Sequence, residues 1–243
     1  MVKVAIVRGA DPPGMTVEAL EMVEAGEAVS GGRPVLIKPN YINASHPSRG
    51  NTTDGRVIEG IVRFLRGQGA GEIVVGEGSG HSDTFRAFRV AGVDAIAERW
   101  GVKLVDLNRD EFIEVRPPDP LALKRVKIAK TALESTIISV PKLKLHRITG
   151  VTLSIKNMMG AMTPKGSMHT RHLSKNIADL AVAAVGAAVM GVAPETVKHL
   201  RYAERKGLGT CDLNRIEVVG EPIEGVRRKF RRALSSRILR LLA

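Results

Sequence analysis

The chain has 243 residues, 44% of them hydrophobic, which is enough apolar surface for one large globular domain or two small ones. Its net charge of +12, from 37 basic and 25 acidic residues, favours anionic partners such as phosphates, nucleic acid or lipid headgroups. The single cysteine, Cys211, excludes an intramolecular disulfide, a thiolate zinc site and an iron–sulfur cluster held by this chain alone, and it fits a reducing cytoplasm.

Short β-branched runs alternate with helical patterns along the chain. This alternation predicts an α/β fold, with a mostly parallel or mixed sheet and helices on both faces. The predicted strands are 2–7, 34–39, 72–77, 103–107, 125–130, 136–141 and 215–220. The predicted helices are 16–25, a helix capped by Thr53 and ended by Gly67, Gly69 and Gly71, and then 83–99, 174–191, 194–206 and 223–242. We expect residues 1–222 to form one α/β domain.

Two segments bear on membranes. The N-terminus reads as a strand and lacks the pattern of a signal peptide, so we expect a cytoplasmic protein. Residues 177–193 are nearly all apolar, but they are shorter than the ~20 residues of a membrane span and include Asp179, which favours a buried core helix. The sequence holds one glutamine, Gln68, a weak sign of a thermophilic source.

The tail, residues 223–243, is predicted to be a basic amphipathic helix, because its apolar residues recur at intervals of three and four. Its basic residues are Arg227, Arg228, Lys229, Arg231, Arg232, Arg237 and Arg240. Such a helix can pack on its own domain, join a homo-oligomer, or lie on nucleic acid or an anionic membrane. We favour packing or self-association.

Ligands of open α/β sheets bind beyond the carboxyl ends of the strands, so the residues that follow strands are the candidate site. Lys38 ends one strand and Asn40 begins a long polar loop, where the lysine can hold a phosphate or carboxylate. The alternative is a solvated surface loop.

A glycine-rich turn follows the strand 72–77. Gly76, Gly78 and Gly80 can bring backbone N–H groups close to an anion, and Ser82 or Asp83 can cap the next helix. The spacing matches neither a dinucleotide-binding fingerprint nor a P-loop, and a plain strand-to-helix turn would look similar. Glu77 and His81 flank this turn and form a candidate acid or base pair.

Residues 139–172 carry many basic groups and no acidic residue. Lys142, Lys144 and His146 alternate, which puts them on one face of an extended chain, and Lys156 and Asn157 follow a second apolar stretch. A bound anion would relieve the repulsion among these charges, although the side chains can also splay into water. We expect Lys38, Lys142, Lys144, His146 and Lys156 to hold the anion and Asn157 to orient it.

The histidines admit two readings. His146, His169 and His172 can form a three-histidine metal site, but no carboxylate is evident to orient them, so basic histidines beside an anion are favoured and no metal is expected. If the protein is an enzyme, His146 or His169 is the candidate general acid–base. His199 is predicted to be an exposed helix residue.

Several motifs resemble the domain-of-unknown-function family 362 (DUF362). They are "VLIKPN", "TTDGRVIEGIVRFLRGQGAGEIVVGEGSG", "VPKLKLHRITGVTLSIKNMMG" and "NIADLA", in that order, with the combination of "PKLKLH" and "SIKNMMG" the most specific. Many members of that family carry a ferredoxin-like module, whose cysteines are absent here. The resemblance also implies that roughly fifty residues found in other members are missing near residue 182.

The sequence therefore predicts a cytoplasmic α/β protein that binds a small anionic ligand, with phosphate or carboxylate groups, at the carboxyl edge of its sheet. One rival is a non-enzymatic binder of nucleic acid or membrane surfaces that uses the arginine-rich tail. The chain's aromatic content of 3% gives little for bases to stack on, which argues against a sequence-specific binder of single-stranded nucleic acid. The other rival is a metal-assisted enzyme that uses the histidines.

Overall fold

The computed structural model describes residues 2–117, 119–146, 148–168, 172–179 and 196–228. The strands in these ranges are β1 (Val2–Ile6), β2 (Val35–Lys38), β3 (Ile73–Glu77), β4 (Lys103–Asp106), β5 (Phe112–Val115), β6 (Val126–Ala129), β7 (Thr136–Ser139), β8 (Lys144–His146), β9 (Gly150–Thr152), β10 (Met162–Thr163) and β11 (Ile216–Gly220). All the strands predicted from the sequence are confirmed, with ends displaced by one or two residues.

The α-helices in the same ranges are α1 (Pro12–Met22), α2 (Gly26–Val29), α3 (Gly55–Gly67), α4 (Thr84–Val90), α5 (Val93–Trp100), α6 (Lys130–Glu134), α7 (Ser154–Asn157), α8 (Leu173–Ala178), α9 (Lys198–Arg205) and α10 (Ile223–Val226). Short 3₁₀ helices lie at Pro47–Arg49, Met158–Ala161, Lys165–Met168 and Leu213–Arg215.

The central sheet has four parallel strands in the order β4-β3-β2-β7. β2 and β3 are buried along their whole length, as expected for inner strands with both faces covered. Side chains alternate between the faces: Val35 and Ile37 pack with α3 and α5, whereas Leu36 packs with Ala132 of α6. The predicted α/β class is confirmed.

Helix α3 shows why its sequence is helical. Ile58, Ile61, Val62 and Leu65 recur at helical spacing and are all buried, which places an apolar stripe against the sheet. Helix α1 packs on the outer side of α3. A side chain at Gly60 would lie 2.6 Å from the carbonyl oxygen of Pro13, so this glycine permits the close approach.

The remaining strands form three small sheets. β10-β6-β5 and β8-β9 are antiparallel, and β1 pairs in parallel with β11. A second apolar cluster joins β9, α7, α8 and α9 through Val151, Ile155, Ile177 and Leu200. Ile128 packs against this cluster and also against the cluster on the other face of the central sheet, which contains Leu36 and Ala132. The apolar interior is therefore continuous at Ile128.

Several helix boundaries differ from the sequence expectation. The tail helix predicted for 223–242 ends at Val226 within the described residues, because Arg227 leaves the helical conformation (ψ 132°) and Arg228 is not helical. The helix predicted for 194–206 begins at Lys198. Helix α1 begins at Pro12, because Asp11 accepts a hydrogen bond from the backbone N–H of Gly14 and two prolines suit the first turn. The predicted helix 83–99 is two helices separated by Gly92, whose φ is +73°. Helix α3 is capped by Asp54, not by Thr53.

Two side chains are also placed differently from their predictions. Thr53 is buried, and its hydroxyl donates to the carbonyl of Val140 (2.7 Å) and accepts from the N–H of Asn40 (2.9 Å). It therefore ties two loops at the sheet edge together. The expectation of an exposed His199 was wrong, because this residue is fully buried.

Some expectations lie wholly or partly outside the described residues. They are His169, most of the segment 177–193, most of the helix 174–191 and residues 229–243 of the tail. Within the described ranges, no helix is both long and apolar enough to cross a membrane.

Candidate functional site

The carboxyl ends of the four central strands bring polar residues to one edge. β2 ends at Lys38, which pairs in register with Ser139 at the end of β7. β3 ends at Glu77, which pairs with Asp106 at the end of β4. Parallel strands thus assemble, at one edge, residues that are far apart in the sequence.

Lys38 and Glu77 form a buried ion pair. The Lys38 Nζ lies 2.7 Å from the Glu77 Oε1, and the two side chains are 0% and 3% exposed. Burial lowers the pKa of Lys38, and the charge of Glu77 opposes that shift. Glu77 also accepts hydrogen bonds from the backbone N–H groups of Tyr41 (2.9 Å) and Gly78 (2.8 Å). The charge of Lys38 is therefore balanced inside the protein.

Asn157 connects this ion pair to three elements. Its Oδ1 accepts from Lys38 (3.2 Å) and from the Asn40 amide (3.0 Å), and its Nδ2 donates to the Lys38 carbonyl (2.9 Å) and to Ser139 Oγ (3.1 Å). These bonds fix α7, and with it the neighbouring Lys156, against the edge of the sheet.

A cavity of about 530 Å³ lies above the ion pair. Its lining includes Asn40, Tyr41, Ile42, Glu77, Gly78, Gly80, His81, Lys144, His146, Thr152, Lys156, Asn157, Met159, Gly160, Lys165 and Gly166. This volume is within the range of small-molecule sites. The sequence-predicted residues that meet here are therefore Asn40, Gly78, Gly80, Lys144, His146, Lys156 and Asn157.

Three lysines line the cavity, and burial lowers the pKa of each. For Lys144 the pKa falls to about 8, with Glu77 opposing the shift and Lys142 adding to it. For Lys156 it also falls to about 8, and the charge of Lys144 contributes. For Lys165 the pKa is lowered as well, and Glu77 opposes the shift. The cavity thus collects positive charge that burial makes unfavourable.

The three lysines differ in their hydrogen bonds. Lys144 Nζ donates to the Asn51 carbonyl at 2.6 Å, and Lys165 Nζ donates to Asn108 Oδ1. For Lys156 the described part of the chain offers no hydrogen-bond acceptor or carboxylate partner within bonding distance.

Polar atoms without partners lie on residues of the same lining. Asn40 Oδ1, Tyr41 Oη and Thr152 Oγ1 are buried and make no hydrogen bond within the described ranges. Burial raises the pKa of Tyr41, which keeps its hydroxyl protonated. Because buried polar atoms are normally paired, these three are available to a ligand that can donate or accept hydrogen bonds.

His146 has a defined hydrogen-bonding role. Its Nδ1 accepts from the backbone N–H groups of Ile148 (3.3 Å) and Thr149 (3.2 Å). In this arrangement the ring hydrogen is on Nε2. The imidazole belongs to the cavity lining.

In the glycine-rich turn, the glycines matter mainly because they lack side chains and so leave room for their neighbours. Gly76 lies within β3, where a side chain would come 2.8 Å from Leu36 Cδ1, so it serves packing and not the ligand. A side chain at Gly78 would come 2.7 Å from Lys165 Nζ. As predicted, Asp83 caps the next helix, accepting from Arg86 N at 2.8 Å.

The remaining site predictions have mixed outcomes. Lys142 precedes β8 and is not part of the cavity lining, although its charge acts on Lys144. Lys38 lies in the ion pair beneath the cavity. Glu77 is occupied by Lys38 and two backbone donors, whereas its suggested partner His81 lines the cavity. Sequence reasoning missed Tyr41, Thr152 and Lys165, and only the basic charge of Lys165 could have marked it.

Metal binding has no support from side-chain clustering in the described ranges, where no three histidine, cysteine or acidic residues group together. A larger cavity of about 680 Å³ lies elsewhere, and its charged residues are Asp119, Asp179, Arg205 and Lys206. Two acidic and two basic groups balance, so this cavity lacks the excess positive charge of the first.

Comparisons with known proteins give one family and one distant relative. A family model described as a domain of unknown function (DUF362) matches residues 35–210, a range that includes the whole cavity lining. A thylakoid-associated protein of Synechocystis sp. is 26% identical over 146 residues, which are 58% of this chain and 42% of that protein. The chain thus matches less than half the length of this relative. No solved structure matches the chain.

Proposed function

The chain belongs to the DUF362 family, and we propose that this member binds a small anionic ligand, carrying phosphate or carboxylate, in the cavity at the carboxyl edge of the central sheet. The observation that carries the proposal is the group of three partly buried lysines, Lys144, Lys156 and Lys165, around one cavity. The nearest carboxylate, Glu77, is already paired with Lys38.

The charge distribution supports an anion more than a neutral ligand. Burial opposes the charged form of each lysine, and the charges of Lys144 and Lys156 repel each other. An anion held by Lys144 and Lys165 would supply the missing countercharge and raise the pKa values of these two lysines toward the ordinary range. Binding and protonation of the lysines are therefore coupled.

The polar atoms suggest further features of the ligand. Asn40 Oδ1 can only accept a hydrogen bond, since the amide nitrogen of the same side chain donates to Asn157. The hydroxyls of Tyr41 and Thr152 can donate or accept. A ligand with a hydroxyl or N–H group beside its anionic group would satisfy these atoms.

Isothermal titration calorimetry with inorganic phosphate, sulfate and oxalate tests the proposal, with chloride at equal ionic strength as the reference. We expect at least one of these anions to bind, and Lys156→Gln to weaken its binding by about tenfold or more. Lys103→Gln is the matched control, because Lys103 is exposed at the start of β4, away from the cavity. Equal affinities in the wild type and Lys156→Gln would overturn the proposal.

We also propose a cytoplasmic location and no iron–sulfur cluster held by this chain. Cys211 is the single cysteine, it is buried, and it forms no disulfide. A cluster would need several cysteine ligands. Fractionation of cells that express the protein, with metal analysis of the purified chain, tests both statements.

A second candidate function is association with an anionic membrane surface. The basic sequence of the tail favours it, and the Synechocystis relative is named as thylakoid-associated. Sedimentation with phosphatidylglycerol vesicles should then depend on the arginines at 227, 228, 231 and 232 and not on Lys156. Binding to nucleic acid, or a homo-oligomer measured by light scattering, would be the alternative outcomes for this tail.

A further inference from the structure

Lys156 differs from the other cavity lysines in its surroundings. It lies on α7 between Ile155 and Asn157, both buried, and the bonds of Asn157 hold this helix against the sheet. Lys144 and Lys165 each donate a hydrogen bond to a protein oxygen, whereas the described residues offer Lys156 none. Lys156 therefore presents a positioned and unengaged amine at the cavity.

We propose that the Lys156 amine condenses with the carbonyl carbon of an aldehyde or ketone that also carries a phosphate or carboxylate. This inference rests on the proposed function, because Lys144 and Lys165 would hold the anionic group while Lys156 reacts. The ligand class thus narrows from any small anion to a carbonyl compound with an anionic group.

The protonation state of Lys156 supports this role. Only a neutral amine has the lone pair needed to attack a carbonyl carbon. Burial and the charge of Lys144 bring the pKa of Lys156 to about 8. About one amine in ten is then neutral at pH 7, against about one in three thousand for an ordinary lysine.

The reaction balances without any additional reagent. The Nζ lone pair forms a C–N bond while the C=O π electrons move to oxygen, and proton transfer from nitrogen to oxygen gives a carbinolamine. One proton is then added to the hydroxyl, water leaves, and a protonated imine remains. The Lys144 ammonium lines the same cavity and burial lowers its pKa to about 8, so it is suited to donate this proton.

The polar lining suits the intermediate as well as the ligand. The carbinolamine carries a hydroxyl, and unpartnered hydroxyls of Tyr41 and Thr152 lie on residues of the same cavity. Asn40 Oδ1 can accept a hydrogen bond from such a group. These atoms would be satisfied by a hydroxylated adduct, and a purely apolar ligand would leave them unpaired.

Borohydride trapping tests the inference on the full chain. The protein is incubated with glyoxylate or glycolaldehyde phosphate, reduced with sodium borohydride, and examined by intact mass and peptide mapping. We expect one stable adduct per chain at Lys156, with a yield that rises as the pH of the incubation passes through about 8. Glycolaldehyde, which lacks an anionic group, should react more slowly at Lys156.

Lys156→Arg is the matched variant, because arginine keeps the positive charge but is not a nucleophilic amine at these pH values. We expect it to lose the adduct and to retain phosphate binding within about tenfold. Adducts spread evenly over exposed lysines such as Lys103 in the wild type would overturn the inference, and this readout does not depend on how the variant folds.

Phosphate calorimetry separates the two levels of the proposal. If wild-type protein binds phosphate but forms no adduct at Lys156 with either aldehyde, the covalent role is wrong and the anion site stands. If it neither binds phosphate nor forms the adduct, both proposals fail.

Discussion

The Lys38 ammonium lies 2.7 Å from the Glu77 carboxylate, and both side chains are buried at the carboxyl ends of adjacent parallel strands. The pair therefore forms the floor of a cavity whose walls carry three further lysines. A lysine that the sequence presents as a ligand-holding cation is, in the folded chain, a neutralised structural element. The excess charge of the site comes from Lys144, Lys156 and Lys165.

Glu77→Gln should destabilise the protein by about 3 kcal/mol or more, because it leaves the Lys38 ammonium buried without a countercharge. The new side-chain amide also has only one oxygen, so its NH₂ group would face the backbone N–H of either Tyr41 or Gly78, which would lose its hydrogen-bond acceptor. Urea unfolding measures the change. In the double variant Lys38→Met/Glu77→Gln the loss should be smaller than the sum of the single losses, whereas simple additivity would contradict a coupled pair.

Lys156→Gln should make the ligand-free protein more stable near neutral pH, by about 2 kcal/mol. Burial lowers the folded-state pKa of Lys156 to about 8, so between pH 8 and the unfolded value of 10.5 the unfolded chain binds more protons. Wild-type stability should therefore rise with pH across this window, and the advantage of the variant should vanish above it. A constant difference from pH 7 to 10.5 would contradict the assigned shift, and Lys103→Gln is the control.

Lys144→Gln and Lys142→Gln should differ in anion binding although the two residues are separated by only one position. Lys144 lines the cavity, whereas Lys142 does not. We expect about tenfold or greater loss of phosphate affinity for Lys144→Gln and less than about threefold for Lys142→Gln. Similar losses in both variants would mean that general electrostatic attraction, and not contact in the cavity, drives binding.

Gly160→Ala should disturb the buried ion pair. A side chain at Gly160 would contact the Glu77 carboxylate and come 2.7 Å from Lys38 Nζ, and both groups are buried and bound to each other. We expect a loss of stability of about 1–3 kcal/mol together with weaker anion binding. Gly71→Ala is the control, since no atom lies within 4 Å of the added carbon and Gly71 is not part of the cavity lining. Thermal unfolding that is equal in both variants would contradict the close packing above the pair.

Asp179→Ala should destabilise the chain by about 2–4 kcal/mol. The Asp179 carboxylate accepts from the backbone N–H groups of Leu121, Ala122 and Leu123 and from Lys206 Nζ at 2.9 Å. Urea unfolding measures the loss of stability, with Asp212→Ala as the control. That variant removes an exposed helix cap, so we expect it to lose only about 1 kcal/mol of stability.

The same carboxylate should make the protein sensitive to acid. Burial raises the pKa of Asp179, whereas the hydrogen bonds from Lys206 and the three backbone donors lower it. The lowering is the larger effect, so the net shift of the pKa is downward. Its stabilisation is thus present above the unfolded pKa and is lost as pH falls through the folded value. Asp179→Asn should show a flatter fall in stability at acidic pH, and an unchanged profile would contradict this assignment.

The sequence by itself determined the α/β class, the four strands of the central sheet and the basic character of the site, whereas the short strands β5, β8, β9 and β10 were not predicted. Continuous apolar runs such as 35–37 and 73–75 are buried on both faces, so their pattern reports burial directly. Lys144, His146, Lys156 and Asn157 were identified because they follow such runs, and the carboxyl edge of a parallel sheet gathers residues in that position.

Only the tertiary structure decided which charges remain unbalanced. Lys38 and Glu77 are 39 positions apart, and their pairing depends on the parallel register of β2 and β3, which local periodicity does not encode. The segment 139–172 contains no acidic residue, so the sequence presented its lysines as equivalent. Folding distinguishes them because burial, a neighbouring charge or a single carbonyl acceptor acts over a few ångströms, and those distances are set by contacts between remote parts of the chain.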